Sequence, residues 1–372
     1  MPSFIALAPL GLERLVAREI RGLGGGVGRT LPEPGRVAFE GPPDALYRAN
    51  LQLRVAERVL VRLGEGKART FDELRTLVSD IQWESFVSSK LPLRVAASAR
   101  ACRLYHTDAL AERVREALAT RGIDAPEPAE EYRGAVQTID LRGTEDNWIV
   151  SVDSSGGALN RRGYRQQTAK APIRENLAAG LLLAAGWDGS VPLLDPMCGS
   201  GTIVLEAAWI AAHRPPGLDR PFLFERFADF DAPRWTALKE EARAGLRPGP
   251  FDIEGADRAG GAIKAAQGNA RRAGSTEGLA LVRRSIEDTP LREGPGMVLF
   301  NPPFGRRIGP EEDPTDAWKA WGELLRARRP GWRLLALAPR RELAEAFGAP
   351  GKPWLRFRHG GLDVALVEVG RG

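Results

Sequence analysis

Cysteine and histidine are nearly missing from this chain: Cys102, Cys198, His106, His213 and His359 are all that occur in 372 residues. Two cysteines so far apart suggest neither a disulfide scaffold nor a zinc site. The scattered histidines argue against a transition-metal centre. Long apolar runs are lacking too, with no stretch near the ~18 residues needed to span a bilayer. The opening MPSFIALAPLGLERLV has no basic leader and is broken by Pro9 and Gly11. No secretory signal is read there, so the expectation is a cytoplasmic protein with no metal and no membrane contact. No repeat of solenoid length is present.

What is there reads as globular. Hydrophobic residues make up 43% and charged residues 27%, and the length calls for two or three domains. The net charge of +5 favours a phosphate-bearing partner by a modest margin. An Arg-rich composition of the kind high genomic GC produces explains it equally well.

The N-terminal half reads as two small α+β units. Strand patterns at Phe4–Leu7 and Arg36–Phe39 alternate with helical patterns at Leu12–Leu23 and Ala45–Leu53. From about Thr70 a second unit follows, with strands at Leu91–Ala97 and Trp148–Val152 around an amphipathic helix at Thr107–Thr120. Beyond Thr168 the texture changes to apolar strands alternating with Ala-rich helices, which predicts a parallel sheet covered on both faces. Its strands are expected at Pro192–Asp195, Ile253–Asp257, Leu279–Arg283, Met297–Asn301 and Trp332–Ala338. Helices are expected at Ile203–Ala212, Ala259–Ala273 and Trp318–Arg328. Trp354–Arg358 and Leu362–Val369 form a hairpin, so one terminal strand must run antiparallel. That feature separates a class I methyltransferase sheet from a plain dinucleotide fold.

Two strings carry the chemistry. In LLDPMCGSGT a strand ends at Asp195, Gly199 and Gly201 permit a tight turn, and a helix starts near Thr202. Ligands bind such sheets at the carboxyl ends of their strands. No Lys follows the second Gly, so this is not a triphosphate cradle. Asp195 suits an ammonium group such as that of S-adenosylmethionine, and Met197 and Cys198 lie in the same turn. Asp257 ends the next strand and suits ribose hydroxyls, the alternative being a cap for the following helix. Glu287 and Asp288, after the third strand, compete as acceptors for an adenine amine, or are solvated loop acids. Cys198 sits inside the cofactor turn and no Pro-Cys dipeptide occurs, which argues against a covalent mechanism.

The second string is Asn301–Gly305, NPPFG, after the apolar strand MVLF. An exocyclic base amine is a poor nucleophile because its lone pair is delocalised into the ring. The Asn301 side-chain carbonyl and the Pro302 carbonyl can accept from that amine and stabilise the charge that grows as a methyl arrives. Pro302 and Pro303 stiffen the loop, and Phe304 offers a stacking face for an extruded base. Basic residues gather at Arg161, Arg162 and Arg165, where Tyr164 either stacks or packs. A second patch holds Arg94, Arg100, Arg103 and His106.

The run LNRRGYR, APIRENLAAGLLLAAGW, LLDPMCGSGTIVLEAA, RPPGLDRPFLFERF and then NPPFG resembles the guanine-N2 RNA methyltransferases that carry a THUMP domain, in family order. The likeness is closest to the large-subunit (23S) ribosomal RNA branch, with the tRNA branch next. It implies an α/β fold: a class I, Rossmann-like, seven-stranded methyltransferase domain at 161–372, preceded by a ferredoxin-like unit at 1–67 and a THUMP RNA-binding domain at 68–160. It implies S-adenosylmethionine as cofactor, held by Asp195, Gly199, Gly201 and Asp257, with Pro172 and Glu175 closing over it. Asn301, Pro302, Pro303 and Phe304 match the family tetrapeptide, whereas Arg306 stands where several relatives have Glu. The expected partner is RNA, ribosomal first and transfer RNA second, and the expected state is a monomer. Adenine-N6 methylation of DNA and an inactive RNA-binding assembly factor are the rivals. The N-terminal half is expected to supply most RNA affinity, and a piece starting near Arg165 to keep the cofactor.

Overall fold

The computed structural model describes residues 1–166, 173–274, 276–303, 314–359 and 361–370. Pro172, Phe304 and Arg306 lie outside the described residues. The N-terminal half builds strands β1 (Ser3–Leu7), β2 (Thr30–Glu33), β3 (Arg36–Glu40), β4 (Arg58–Lys67), β5 (Leu93–Arg100), β6 (Gln137–Thr144) and β7 (Asn147–Asp153). Helices α1 (Glu13–Arg21), α2 (Asp44–Gln52), α3 (Phe71–Ser79) and α4 (Thr107–Thr120) lie between them. Thr70 caps α3 reciprocally with Glu73, which accounts for its sharp start.

The two small units share a sheet. Its order is β2-β3-β1-β4-β7-β6-β5, because β7 returns to pair antiparallel with β4, Val61 facing Val152. The expected boundary at residue 67 coincides with the end of β4, but the sheet continues across it.

The C-terminal half holds β8 (Leu193–Asp195), β9 (Ile253–Asp257), β10 (Leu279–Arg283), β11 (Gly296–Phe300), β12 (Trp332–Ala338), β13 (Leu355–His359) and β14 (Leu362–Glu368). Its helices are α5 (Glu175–Ala184), α6 (Thr202–Ala211), α7 (Ala232–Ala244), α8 (Gly260–Ala273), α9 (Pro314–Arg328) and α10 (Arg341–Ala346). The strand order is β10-β9-β8-β11-β12-β14-β13. The first five are parallel, while β14 runs antiparallel to both neighbours, as the terminal hairpin requires. The chain steps outward one way from β8 to β10 and then returns to β11 on the other side. This puts the topological switch between β8 and β11, where ligands bind in open sheets of this kind.

The halves are not separable beads. One apolar core runs from Phe4 through Leu366. The inserted segment after α6 stacks Phe224 on Tyr47 of α2, with ring centroids 4.7 Å apart, and Arg234 pairs with Asp44 at 2.6 Å. Arg54 donates to the Arg214 carbonyl at 2.8 Å, and Asn176 to the Val55 carbonyl at 3.0 Å. A piece starting near Arg165 would leave these partners and the aromatic cluster bare, so it is not an independent folding unit.

Beneath this seam lies a buried charge pair. Glu206 sits on α6, whose ten residues are all buried. Arg162 reaches it at 3.3 Å, with both side chains sealed from solvent. Arg162 also donates to the carbonyls of Leu159 and Arg54, and the Tyr164 hydroxyl donates to Glu206 at 3.0 Å. Arg162, expected to meet RNA, is therefore interior, and Tyr164 packs rather than stacks: a buried carboxylate draws a cation and a hydroxyl donor in with it. Arg162→Ala is expected to cost about 3–5 kcal/mol, because it strands Glu206 in the core. Urea unfolding checks this, and adding Glu206→Leu to Arg162→Ala is expected to restore part of the loss.

Candidate active site

Asp195 and Asn301 leave adjacent parallel strands at one edge. β8 and β11 pair through Leu194 and Val298, so Asp195 ends one strand while Asn301 follows directly on the other. The intervening turn is shaped by glycine. Gly199 (φ 54°) and Gly201 (φ 86°) both adopt left-handed backbone, which costs glycine little. A Cβ at Gly201 would come 3.1 Å from the Ala266 Cβ, so the missing side chain lets α6 start close against α8.

The strand-end acids face opposite circumstances. Asp257 is half-buried and fully engaged, accepting from the Gly199 amide at 3.0 Å and the Ala259 amide at 2.8 Å. It thus supports the start of α8 and shapes the Gly-rich turn, while each oxygen keeps a second lone pair. Asp195 is buried and accepts one amide hydrogen bond, from Met197 at 3.1 Å. Burial, reinforced by the nearby Asp257, raises its carboxyl to about 8. A carboxylate in that state lacks a cation, and an ammonium group would supply one. The Cys198 thiol is pushed well above its ordinary value by burial and by both acids, the opposite of what a nucleophile needs.

Asn301 shows a matching deficit. Its side-chain carbonyl oxygen is buried and finds no hydrogen-bond partner among the described residues. Such an orphan acceptor costs about 1–3 kcal/mol, and a donor from outside would satisfy it. Pro302 behind it is buried and Pro303 half-buried. Both flank the strand end as expected.

The residues after Arg162 brace the turn rather than meet solvent. The Arg165 Nε lies 3.0 Å from the Glu175 carboxylate. The same guanidinium donates to the Thr202 hydroxyl at 3.2 Å and to the Ile173 carbonyl at 2.6 Å. Arg165 thereby ties the first residue of α5 to the first residue of α6, and phosphate contact is not its role here. Glu175 is buried, which raises its carboxyl against the pull of Arg165. Met197 packs against the apolar cluster under β11 and β12.

Glu287 and Asp288 lie in a short turn after β10, both exposed. Partial burial of Glu287 is outweighed by hydrogen bonds from Ser285 and Trp321, which hold its carboxyl below the usual range. Arg161, Arg100 and Arg103 are exposed, as are Arg94 and His106. Sequence reasoning missed Tyr105, an aromatic 65% exposed, with its ring 4.2 Å from that of His106. Its position between Arg103 and His106 was the available signal. Among the described residues no cluster of His, Cys, Asp or Glu is arranged to hold a metal ion, and no helix is long and apolar enough to cross a membrane.

Residues 162–360 match the family model described as an RMKL-like methyltransferase domain, and residues 3–60 match the RlmL ferredoxin-like domain. A ribosomal RNA large subunit methyltransferase K/L from Syntrophotalea carbinolica is 36% identical over 98% of this chain, which spans about half, 53%, of that protein. A solved structure of SMU.472, a putative methyltransferase complexed with SAH, superposes over 100% of this chain and 98% of its own, with TM-score 0.87 and 28% identity. A predicted N6-adenine-specific DNA methylase from Listeria monocytogenes does so over 100% and 96%, with TM-score 0.87 and 30% identity.

The Asp195 environment makes a test of its own. A carboxyl raised in the folded state and ordinary in the unfolded one stabilises the fold only while it keeps its proton. That contribution is complete below the unfolded value near 3.8 and is lost as pH rises towards about 8. In the cofactor-free protein, Asp195→Asn is expected to match wild type in acid and to gain stability as pH approaches 8. The melting-temperature difference should reach at least about 2–4 °C, the shift that 1 kcal/mol gives in a domain of 150–250 residues. Thermal melts across that range read it, and a difference that does not change with pH would show that Asp195 is not held protonated.

Proposed function

The chain belongs to the RMKL-like methyltransferase family, and from that premise we propose that it transfers the methyl group of S-adenosylmethionine to N2 of a guanine in large-subunit ribosomal RNA. The observation that carries this reading is the buried, unpartnered Asn301 carbonyl one strand away from the buried, uncompensated Asp195.

Asp195 would hold the ammonium of the methionyl part. Asp257 would hold the ribose through the lone pairs its two amide bonds leave free. Gly199 and Gly201 would let the turn approach, flanked by Met197, Cys198 and Thr202. Pro172 and Glu175 would close the site, Glu175 held in place by Arg165. Glu287 and Asp288 are the two candidates for the adenine amine, Glu287 with one oxygen already accepting from Ser285. When bound, the cofactor supplies an electrophilic methyl on a sulfonium.

The remaining work falls to the target loop. Asn301 and the Pro302 carbonyl accept from the exocyclic amine, draw its lone pair out of the ring plane and stabilise the positive charge on nitrogen. Arrival of the methyl would leave the amine nitrogen cationic, held by these two acceptors until its extra proton passes to water. Pro303 keeps the acceptors aimed, and Phe304 stacks the extruded base. Residues 68–160, with Arg100, Arg103 and the neighbouring Tyr105, and Arg161 at the seam, contact RNA.

Guanine and ribosomal RNA rest on the family likeness of the Leu159–Phe230 run and on the relative's name, because an Asn-Pro-Pro loop serves any exocyclic amine. Adenine N6 in DNA is the second reading, favoured by the name of the Listeria protein. Incubation with labelled cofactor and, side by side, deproteinised large-subunit RNA, bulk tRNA and duplex DNA separates them by nucleoside analysis. N2-methylguanosine in ribosomal RNA is expected. Label in tRNA alone moves the enzyme to the transfer RNA branch, and N6-methyladenine overturns the base assignment. Asn301→Ala is expected to lower the single-turnover rate ~10²–10³-fold while leaving cofactor affinity unchanged, and a near wild-type rate removes Asn301 from the chemistry.

A further inference from the structure

A groove of about 830 Å³ opens at the side of the methyltransferase sheet away from the cofactor acids. Arg340 follows β12 at its carboxyl end, Arg356 and Arg358 lie on β13, and Arg341 and Lys352 complete the basic lining. All five side chains are exposed. On β13 the exposed arginines alternate with buried Phe357, so both face the same side. Asp363 is the one carboxylate in the lining. Arg341 is paired with Glu345 at 2.7 Å. Arg340, Lys352, Arg356 and Arg358 form no ion pair among the described residues, in a chain whose arginines are otherwise widely paired.

The groove opens at the same sheet edge as the target loop. β12 lies parallel and next to β11, which delivers Asn301, so Arg340 and Asn301 leave the sheet at the same edge. β14 starts and β13 ends at that edge as well. Three steps of ~4.8 Å separate β11 from β13, a distance that a short run of nucleotides covers. Cofactor contacts lie on the other side, towards β9.

The groove is also rigidly built, because the N-terminal unit closes one end of it. Gly11, in the turn between β1 and α1, has a φ of 93°. A Cβ there would sit 2.0 Å from the Arg356 carbonyl oxygen. Only glycine lets that turn lie directly on β13, and this contact sets Leu10, 56% exposed, at the groove's edge as an apolar surface.

Resting on the reading of RNA as substrate, we propose that this groove is a second RNA-binding site: it takes the phosphates of the single strand flanking the flipped nucleotide, through Arg340, Arg356, Arg358 and Lys352. Four cations against one carboxylate, Asp363, which lies across from Arg358, leave a net positive wall that suits a polyanion threaded past the site. The methyltransferase half then supplies part of the RNA affinity itself, beside the share expected of the N-terminal half.

The test uses the full chain with Arg340→Gln, Arg356→Gln and Arg358→Gln combined, titrated with deproteinised large-subunit RNA at several salt concentrations. RNA affinity is expected to fall at least tenfold at low salt. The slope of log affinity on log salt should shrink by about 2, at roughly 0.7 for each single-strand phosphate no longer neutralised. Cofactor affinity, which reports folding, should not change. A control neutralises Arg271 and Arg328, at helix ends on the opposite edge of the sheet, and is expected to bind RNA as wild type does. Wild-type affinity and slope in the triple variant, or an equal loss in the control, overturns the groove while RNA binding by wild type stands. Wild type that binds no RNA takes down the substrate reading and the groove together.

Discussion

The buried pair of Arg162 and Glu206 is the constraint on which the rest of the structure depends. A carboxylate in the middle of an otherwise apolar, fully buried helix must be paired or neutralised. Arg162 pairs it and directs its remaining donors to the carbonyls of Leu159 and Arg54. One guanidinium therefore joins the N-terminal half, the connecting segment and α6. Three residues further on, Arg165 ties the start of α6 to the start of α5 through Thr202 and Glu175. The segment that reads as a basic linker is a strap, and what it holds in place is the helix that starts at the Gly-rich turn.

From that fixed loop the electrostatics of the site follow. Asp257 is satisfied by two amides, so its remaining lone pairs are aimed before any ligand arrives. Among the described residues Asp195 has one amide, no cation and a carboxylate neighbour, and burial raises its carboxyl to about 8. Asn301 has a buried acceptor with nothing to accept from among the described residues. Each deficit costs free energy in the empty protein, and each is relieved by a donor of a particular kind. A preorganised site of this sort places its unsatisfied groups where the ligand's complementary groups will come. The strap keeps the turn from relaxing to satisfy them internally.

The methyltransferase sheet was legible because its central strands are buried on both faces: GMVLF is buried at every position, and such runs stand out from the residues around them. The Gly-rich turn and the Asn-Pro-Pro loop could be placed because each follows one of these runs. Helix α5 carries little amphipathic signal, since eight of its ten residues are buried. The fully buried α6 could be placed because it follows a strand and the Gly-rich turn, a context α5 lacks. The shared N-terminal sheet was not legible, because the pairing of β4 with β7 joins segments far apart in the chain, as with Val61 and Val152, and neither strand encodes its partner. Arg162 and Tyr164 were read as a possible phosphate and stacking patch because a charge run does not reveal its own burial. The missing signal lay elsewhere, in the single glutamate of TIVLEAAWIA, which needed a buried cation from somewhere in the chain.

The packing between halves also constrains how a large substrate is read. Tyr47, Phe224 and Trp235 form one aromatic cluster across the seam. A Cβ at Gly217 would collide with the Asn50 and Leu51 backbone, and Gly11 lies on β13. Rotation of one half against the other would open that cluster to water and expose Glu206, a cost of several kcal/mol before any RNA contact is made. The separation between the exposed Arg100, Arg103 and Tyr105 and the strand ends at Asn301 is therefore a fixed length. In the proposed reading the RNA must adapt to it: a helix or loop rests on the N-terminal sheet while the target base leaves its stack to reach the strand ends. Unstacking costs least where the strand is already loosely structured. A rigid protein of this kind selects its nucleotide by that distance and by the ease of extruding the base, with the Asn-Pro-Pro loop testing only that an amine has arrived.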